Sequence, residues 1–389
     1  MQDRFFMDMA QTIKEDKRKH PVKVLVVGQI PPPCHGQSVM IQQLLAGKYD
    51  KVKLFHVRMG FSSTMQDVGR FQFIKLYRLF RVICSIIYKR FCYNIKILYY
   101  PPAGPRKIPT YRDMMILILT RWLFKKTILH FHAGGVSELY SSFSLPLRLL
   151  FRLSYFNADA AIRLSEFNPP DPQNLNAKQE FILPNGIPDY FGKNTKKRTD
   201  DIPQILFVGT IRRSKGVITL LEAARLLSEQ DIEFKLNLVG EPSSLEFEQE
   251  VKEKIAAYRL EDSVSMPGLL TGRAKWQAFA QSDIFCYPSF FSAETFGLVL
   301  LEAMQFELPV VAARWRGIES VVKNNETGYL IPIKDSRVLA EKIRSLIANP
   351  ERARIMGRKG RDVYLSLYTA DRFRERIEKI FIEVAGKLK

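Results

Sequence analysis

Cysteine is sparse in this 389-residue chain. The four present, Cys34, Cys84, Cys92 and Cys286, keep no metal-binding or redox spacing and fit a reducing cytoplasm. The stretch Met1 to His20 is polar and charged, with no apolar core, so no secretory signal is expected. The apolar runs fall short of the ~20 residues that a spanning helix needs. No G-x-G-x-x-G follows the first strand-like run, which disfavours a classical dinucleotide fold. Internal repeats and low-complexity tracts are absent. Acids are scarce in one half only. Residues 1–200 carry 31 Lys+Arg against 14 Asp+Glu, whereas residues 201–389 carry 28 against 26. Between Arg70 and Lys126 there are 13 basic residues and a single acid, Asp113. Charge placed so unevenly calls for an anionic partner on one domain.

What is there reads as two α/β domains. The hydrophobic share of 46% and the charged share of 25% are those of an ordinary folded protein, and the length suits two cores. Val22–Gly28 is a buried parallel strand, followed by Pro31-Pro32-Pro33-Cys34-His35-Gly36 and a helix beginning near Ser38. Gly36 lets backbone approach a ligand there. Residues 71–91 repeat apolar and aromatic side chains at helical spacing (Ile74, Tyr77, Phe80, Cys84, Ile87, Phe91), interleaved with Lys75, Arg78, Arg81, Lys89 and Arg90. Such a helix suits an anionic membrane surface, or else it is a domain helix with its apolar face on the core. Further strands are expected at 95–100, 127–132 and 157–165, and helices at 111–124 and 370–388. Strand 127–132 ends at His132, placed to reach a cleft beyond the sheet's C-terminal edge. Residues 192–203 read as a linker, after which strand 204–208, loop 209–216 and helix 217–227 restart the pattern. In that loop Arg212, Arg213 and Lys215 crowd three cations beside glycine, which suits a diphosphate.

The richest stretch runs from Asp283 to Met304. A short buried strand leads into a loop holding Glu294. A helix over Phe296–Gln305 then carries Glu302, with Phe296, Gly297 and Leu298 offering free backbone N–H groups to a phosphate. Two acids about two turns apart suit the two ends of an extended ligand rather than one metal ion. The plainer alternative makes Glu294 a helix cap and leaves Glu302 facing water.

Glu294 and Glu302, within Pro-Ser-x5-Phe-Gly-Leu-x3-Glu-Ala-Met, resemble the E-x7-E signature of family 4 glycosyltransferases. The runs 308–312 and 325–331 are similar to that family as well. The resemblance implies the GT-B architecture: two Rossmann-like parallel-sheet domains facing a cleft, here 1–190 for the acceptor and 191–369 for the donor, with helix 370–389 returning to the first. It implies a retaining hexosyltransferase moving a sugar from a UDP- or GDP-linked donor to a hydroxyl of a lipid-linked, polysaccharide or lipopolysaccharide acceptor. On that reading Glu302 holds ribose hydroxyls and Glu294 the donor sugar. Arg212 or Arg213 acts with Lys215 on the departing diphosphate, and Gly36 touches donor phosphates. His132 contacts the sugar, and Gly268 and Leu269 lie where backbone reads the base. No Asp-x-Asp clamp is present, so neither metal nor cofactor is expected. The expected partners are the donor, a glycan or lipid-linked acceptor and an anionic membrane surface at the cytoplasmic face, with no nucleic acid. An epimerase of the same fold and a non-catalytic nucleotide-sugar binder are the alternatives.

Overall fold

The computed structural model describes residues 21–61, 73–192 and 201–386. The polar start, Met1 to His20, and most of the expected linker lie outside the described residues. β-Branched and aliphatic runs build two parallel six-stranded sheets. The first contains β1 (Val22–Gly28), β2 (Val52–Arg58), β3 (Ile97–Tyr100), β4 (Lys126–Phe131), β5 (Ala160–Arg163) and β6 (Glu180–Ile182), in the order β2-β1-β3-β4-β5-β6. The second contains β7 (Gln204–Val208), β8 (Lys235–Val239), β9 (Val264–Gly268), β10 (Ile284–Tyr287), β11 (Val310–Ala313) and β12 (Gly328–Ile331). Its order is β12-β11-β10-β7-β8-β9. Parallel strands need crossovers, and helices supply them on both faces.

Side-chain alternation along β1 sends Val24 and Val26 into one core and Leu25 and Val27 into another. The second of these cores packs under α2 (Phe73–Cys92), α3 (Lys107–Thr120) and α4 (Leu145–Tyr155), through Leu79, Ile83, Ile86, Met114, Leu117 and Phe151. In α2 the repeating residues from Tyr77 onward do not face this core. Tyr77, Phe80, Cys84 and Phe91 are exposed, and the buried stripe is Leu79, Val82, Ile83 and Ile86. Among the described residues no helix is long and apolar enough to cross a membrane.

The first core receives α1 (Gly36–Ala46) and the last helix. That helix, Ala370–Gly386, buries Phe373, Ile377, Ile380, Phe381 and Val384, a spacing that keeps one stripe inward. It packs on β1 and β2, and Phe381 meets Tyr99 edge to face with ring centroids 5.7 Å apart. The chain passes between the halves twice at one place. Ala370 N–H donates to the Ile187 carbonyl (3.0 Å), and Ile187 N–H donates to the Tyr368 carbonyl (2.9 Å). A Cβ on Gly186 would stand 2.3 Å from the Thr369 carbonyl oxygen, so only glycine permits this approach.

Three helix starts differ from the sequence expectation: the helix expected over 111–124 runs Lys107–Thr120, and two more lie at the cleft. The first helix begins at Gly36 rather than near Ser38, because His35 caps it. Its Nδ1 accepts the Ser38 N–H (3.2 Å), while Ser38 Oγ accepts the His35 N–H (3.0 Å). The helix expected from Phe296 begins at Leu298, because Gly297 adopts φ +76°, outside the helical region. Phe296 is therefore buried in the preceding loop, against the Tyr368 ring.

Replacing Phe381 by alanine empties a site fully enclosed between the last helix and β3. Urea unfolding should show a loss of about 3–5 kcal/mol; an unchanged midpoint would mean that the helix does not anchor on this sheet.

Candidate active site

In the second sheet the strand order reverses between β7 and β10, which lie side by side. The loops leaving their C-terminal ends therefore open a crevice, the usual ligand position in an open parallel sheet. The loop after β7 carries Lys215 and the loop after β10 carries Glu294. Their backbones press together: Gly216, at φ +78°, would drive a Cβ to 2.2 Å from the Pro288 carbonyl oxygen. Phe290 N–H donates to the Ser214 carbonyl (2.9 Å).

Here Lys215 Nζ lies 2.5 Å from Glu294 Oε2 and donates to the Tyr287 hydroxyl at 2.7 Å. Tyr287 in turn donates to Glu294 Oε2 (2.7 Å), and Ser289 Oγ adds a longer bond (3.2 Å). Burial by itself would raise the Glu294 carboxyl. The Lys215 ammonium and three side-chain hydrogen bonds outweigh it and hold the carboxyl below its ordinary value. The same contact lifts Lys215 above the usual lysine value despite burial. Both charges are thus present at neutral pH.

Glu302 sits in the helix Leu298–Gln305, beyond the free N-terminal turn. Its Oε1 accepts from Lys275 Nζ (2.6 Å), while its Oε2 is buried without a partner. Burial raises this carboxyl and Lys275 only partly offsets it. A buried, orphaned carboxyl oxygen is costly in isolation and suits a ligand hydroxyl. Trp276 stacks on Tyr190 beside it, with ring centroids 4.2 Å apart.

The cation loop separates its members. Arg213 turns outward, over the Phe247 ring and paired with Glu250 at 2.5 Å. Arg212 instead lies over the Phe291 ring, as Lys215 does (5.6 and 5.0 Å to the centroid). Burial and the charge of Arg106, from the other half of the chain, lower the Arg212 guanidinium's pKa. Arg212 thus adds its charge to that of Lys215 over the same ring, an arrangement that welcomes an anion. Gly268, at φ +78°, has open space where a Cβ would be, and Leu269 beside it is exposed.

From the first sheet comes His132, one residue past β4. Its ring packs at a tilt against His130 (centroids 3.9 Å apart), its Nε2 reaches the Tyr99 hydroxyl (3.4 Å), and the Asn185 side chain lies beside it. Burial, aided by His35, depresses it to about 3, so the ring is neutral. His130 is fully enclosed and bonded to Tyr99 at 2.6 Å, and so stands behind it. The two halves touch directly: Thr295 Oγ1 donates to the His132 carbonyl (2.5 Å), and Asn168 Nδ2 donates to the Thr295 carbonyl (2.8 Å). At Gly36 a Cβ would meet Leu298 at 3.8 Å across the cleft. Among the described residues no three His, Cys, Asp or Glu gather as a metal site.

Comparison with known proteins bears on this crevice directly. Residues 189–363, which carry Lys215, Glu294 and Glu302, match the family model described as Glycosyl transferases group 1. The stretch that builds the crevice is thus similar to group 1 glycosyl transferases. The chain is 31% identical to an Escherichia coli K12 glycosyltransferase named for colanic acid biosynthesis, WcaL, over 36% of this chain and 35% of that protein. It is 24% identical to the Salmonella typhimurium WcaL over 67% of this chain and 63% of that one. The matches thus span from about a third to under two thirds of these relatives' length. Sucrose-phosphate synthase from Thermosynechococcus elongatus superposes with a TM-score of 0.71 at 19% identity, covering 94% of this chain and 99% of that one. Anabaena HepE, solved in complex with UDP, gives 0.70 at 17%, covering 93% and 100%. The fold is GT-B.

Several residues of this crevice carry no role in the sequence reading. Tyr287 and Ser289 precede Glu294 by seven and five residues, so their proximity is available from sequence. Lys275, Trp276 and Tyr190 are distant in sequence and carry no local signal.

Lys215→Met should leave the Glu294 carboxylate buried and unpaired, costing about 3–5 kcal/mol in denaturant titrations. Glu294→Gln in that background should recover much of the loss. Additive losses would mean that the two groups do not act as a pair.

Proposed function

We propose that the chain is a retaining, metal-independent glycosyltransferase of the family 4 type. It moves a sugar from a UDP- or GDP-linked donor to a hydroxyl of a lipid-linked or polysaccharide acceptor, including lipopolysaccharide precursors. The observation that carries this reading is the crevice's polarity: cations of Lys215 and Arg212 at one part, and the open Oε2 of Glu302 at another. A nucleotide-sugar presents negative oxygens between two hydroxyl-bearing rings, which matches that order.

In this reading Glu302 accepts from ribose hydroxyls and Glu294, kept ionised, accepts from the donor sugar. Lys215 and Arg212 neutralise the diphosphate as the anomeric C–O bond breaks, work that a metal ion does elsewhere. His132, neutral, offers a hydrogen bond to the sugar rather than a charge. The acceptor hydroxyl enters on the face the diphosphate leaves, which preserves anomeric configuration. Colanic acid appears in the name of the relatives, and HepE was solved with UDP. These names support a polysaccharide acceptor and make UDP-sugars the first donors to try. The positive first half supports work at the anionic cytoplasmic face of a membrane.

The test is release of free nucleotide from UDP-, GDP- and ADP-sugars with and without glycan-lipid acceptor. Release should require acceptor and should survive EDTA. Epimerisation without release, or loss in EDTA with rescue by Mg²⁺ or Mn²⁺, would overturn the respective parts. Glu294→Gln and Glu302→Gln should each lower kcat/KM by about 10²-fold or more, in line with removal of a charge-stabilising contact. Full turnover in both would refute the assignment.

A pH profile provides a further check. Because burial holds His132 at about 3, kcat should show no histidine inflection between pH 6 and 7 from this ring. His132→Gln should therefore lower kcat without reshaping the profile; disappearance of an inflection near neutrality would show that His132 titrates.

A further inference from the structure

A second concave site, lined by none of the residues described above for the crevice, lies at the C-terminal ends of β1 and β2 and along one side of α2. This open cavity, of about 510 Å³, is lined by Arg58, Arg78, Arg81 and Lys89, together with Gln29 and His56. Among the described residues none of the four cations meets a carboxylate. Arg58 donates to the Pro31 and Pro32 carbonyls, and Arg78 to those of Gly60 and Phe61. Lys89 donates to the His56 carbonyl (2.6 Å), and Arg81 rests over the Tyr77 ring. Burial, with the Lys89 and Arg58 charges, lowers the His56 imidazole's pKa, although its bond to the Gly28 carbonyl opposes this. Gln29 keeps a buried Oε1 without a partner. Like charges held together around a cavity, three of them bound to carbonyls and Arg81 over an aromatic ring, suit a multivalent anion.

The helix beside this cavity has three sectors. Leu79, Val82, Ile83 and Ile86 face the core, and Arg78, Arg81, Ser85 and Lys89 face the cavity. The remaining sector, Tyr77, Phe80, Tyr88 and Phe91, is 59–64% exposed. A ridge of aromatic rings thus borders the anion cavity along the helix, and Arg81 joins the two. Hydrocarbon and phosphate chemistry are offered side by side.

We infer that the cavity seats the phosphate or diphosphate of a lipid-linked acceptor, with the lipid chain laid along the Tyr77–Phe91 ridge. The loop that forms the cavity wall at Gln29 and Pro32 runs on to Gly36, which faces Leu298 across the crevice. An acceptor anchored here extends its sugar end past that loop toward the donor. The inference rests on the transferase reading, but its test reads binding alone.

The full chain is sedimented with phosphatidylcholine vesicles carrying a small fraction of a polyprenyl diphosphate. Parallel vesicles carry phosphatidylglycerol at matched surface charge. The polyprenyl diphosphate should be preferred by about tenfold, inorganic diphosphate should compete, and Arg81→Gln should remove the preference. Arg81 is exposed, and circular dichroism melting establishes that the variant is folded. Ser85→Glu, which sets a carboxylate among the cations, should act in the same direction. Equal binding to both vesicles would overturn the site in favour of general electrostatic adhesion, as would an undiminished preference in both variants. A chain that transfers sugar yet shows no preference loses only this inference. One that shows the preference but moves no sugar loses the transferase reading.

Discussion

The contact between Lys215 and Glu294 is the constraint around which the crevice is arranged. Two charges withdrawn from water persist only with close geometry and further hydrogen bonds. Tyr287 and Ser289 supply those bonds from the strand end and loop leading to Glu294. The pair spans 79 residues of sequence. It exists because β7 and β10 are neighbours and because Gly216 lets one loop lie against Pro288. Were the strands ordered otherwise, a surface lysine and a capping glutamate would remain. The plainer reading of Glu294, a cap on the helix dipole, does not describe its surroundings: its hydrogen bonds are to side chains rather than to free backbone N–H groups.

Opposite this pair the first sheet contributes few charged contacts and much shape. His132 is a neutral ring supported by Tyr99 and His130, and Thr295 ties its carbonyl to the other half. Arg106 is the exception, bringing positive charge toward Arg212. The last helix, seated on β1 and β2, and the paired strands of chain at Ile187 and Ala370 join the same two halves. The crevice therefore lies between elements linked by backbone bonds at one place and side-chain bonds at another. Positive charge is distributed similarly on two scales: locally at Arg212 and Lys215, and broadly over α2 and the neighbouring loops.

Legibility followed burial and locality. Strand β7 was readable to the residue, because a fully buried parallel strand is a short unbroken apolar run between polar flanks. Strand β2 was not singled out: Val52-Lys53-Leu54-Phe55-His56-Val57-Arg58 lies at a sheet edge and mixes polar with apolar residues. In α2 the aromatic repeat was visible, yet its direction was not. Both that repeat and the Leu79–Ile86 stripe have helical spacing, so periodicity alone could not say which entered the core. The start of the Glu302 helix failed by two residues because one glycine torsion, not composition, terminates it.

The amino-acid sequence by itself determined the alternation of strands and helices, the division of charge between the halves, and the spacing of Glu294 and Glu302. Each of these is written in neighbouring residues or in counts. Tertiary structure decided which arginine accompanies Lys215, that Lys275 meets Glu302, and which side of α2 reaches solvent. Those outcomes depend on contacts between segments far apart in the chain, and a one-dimensional pattern holds no distances between them.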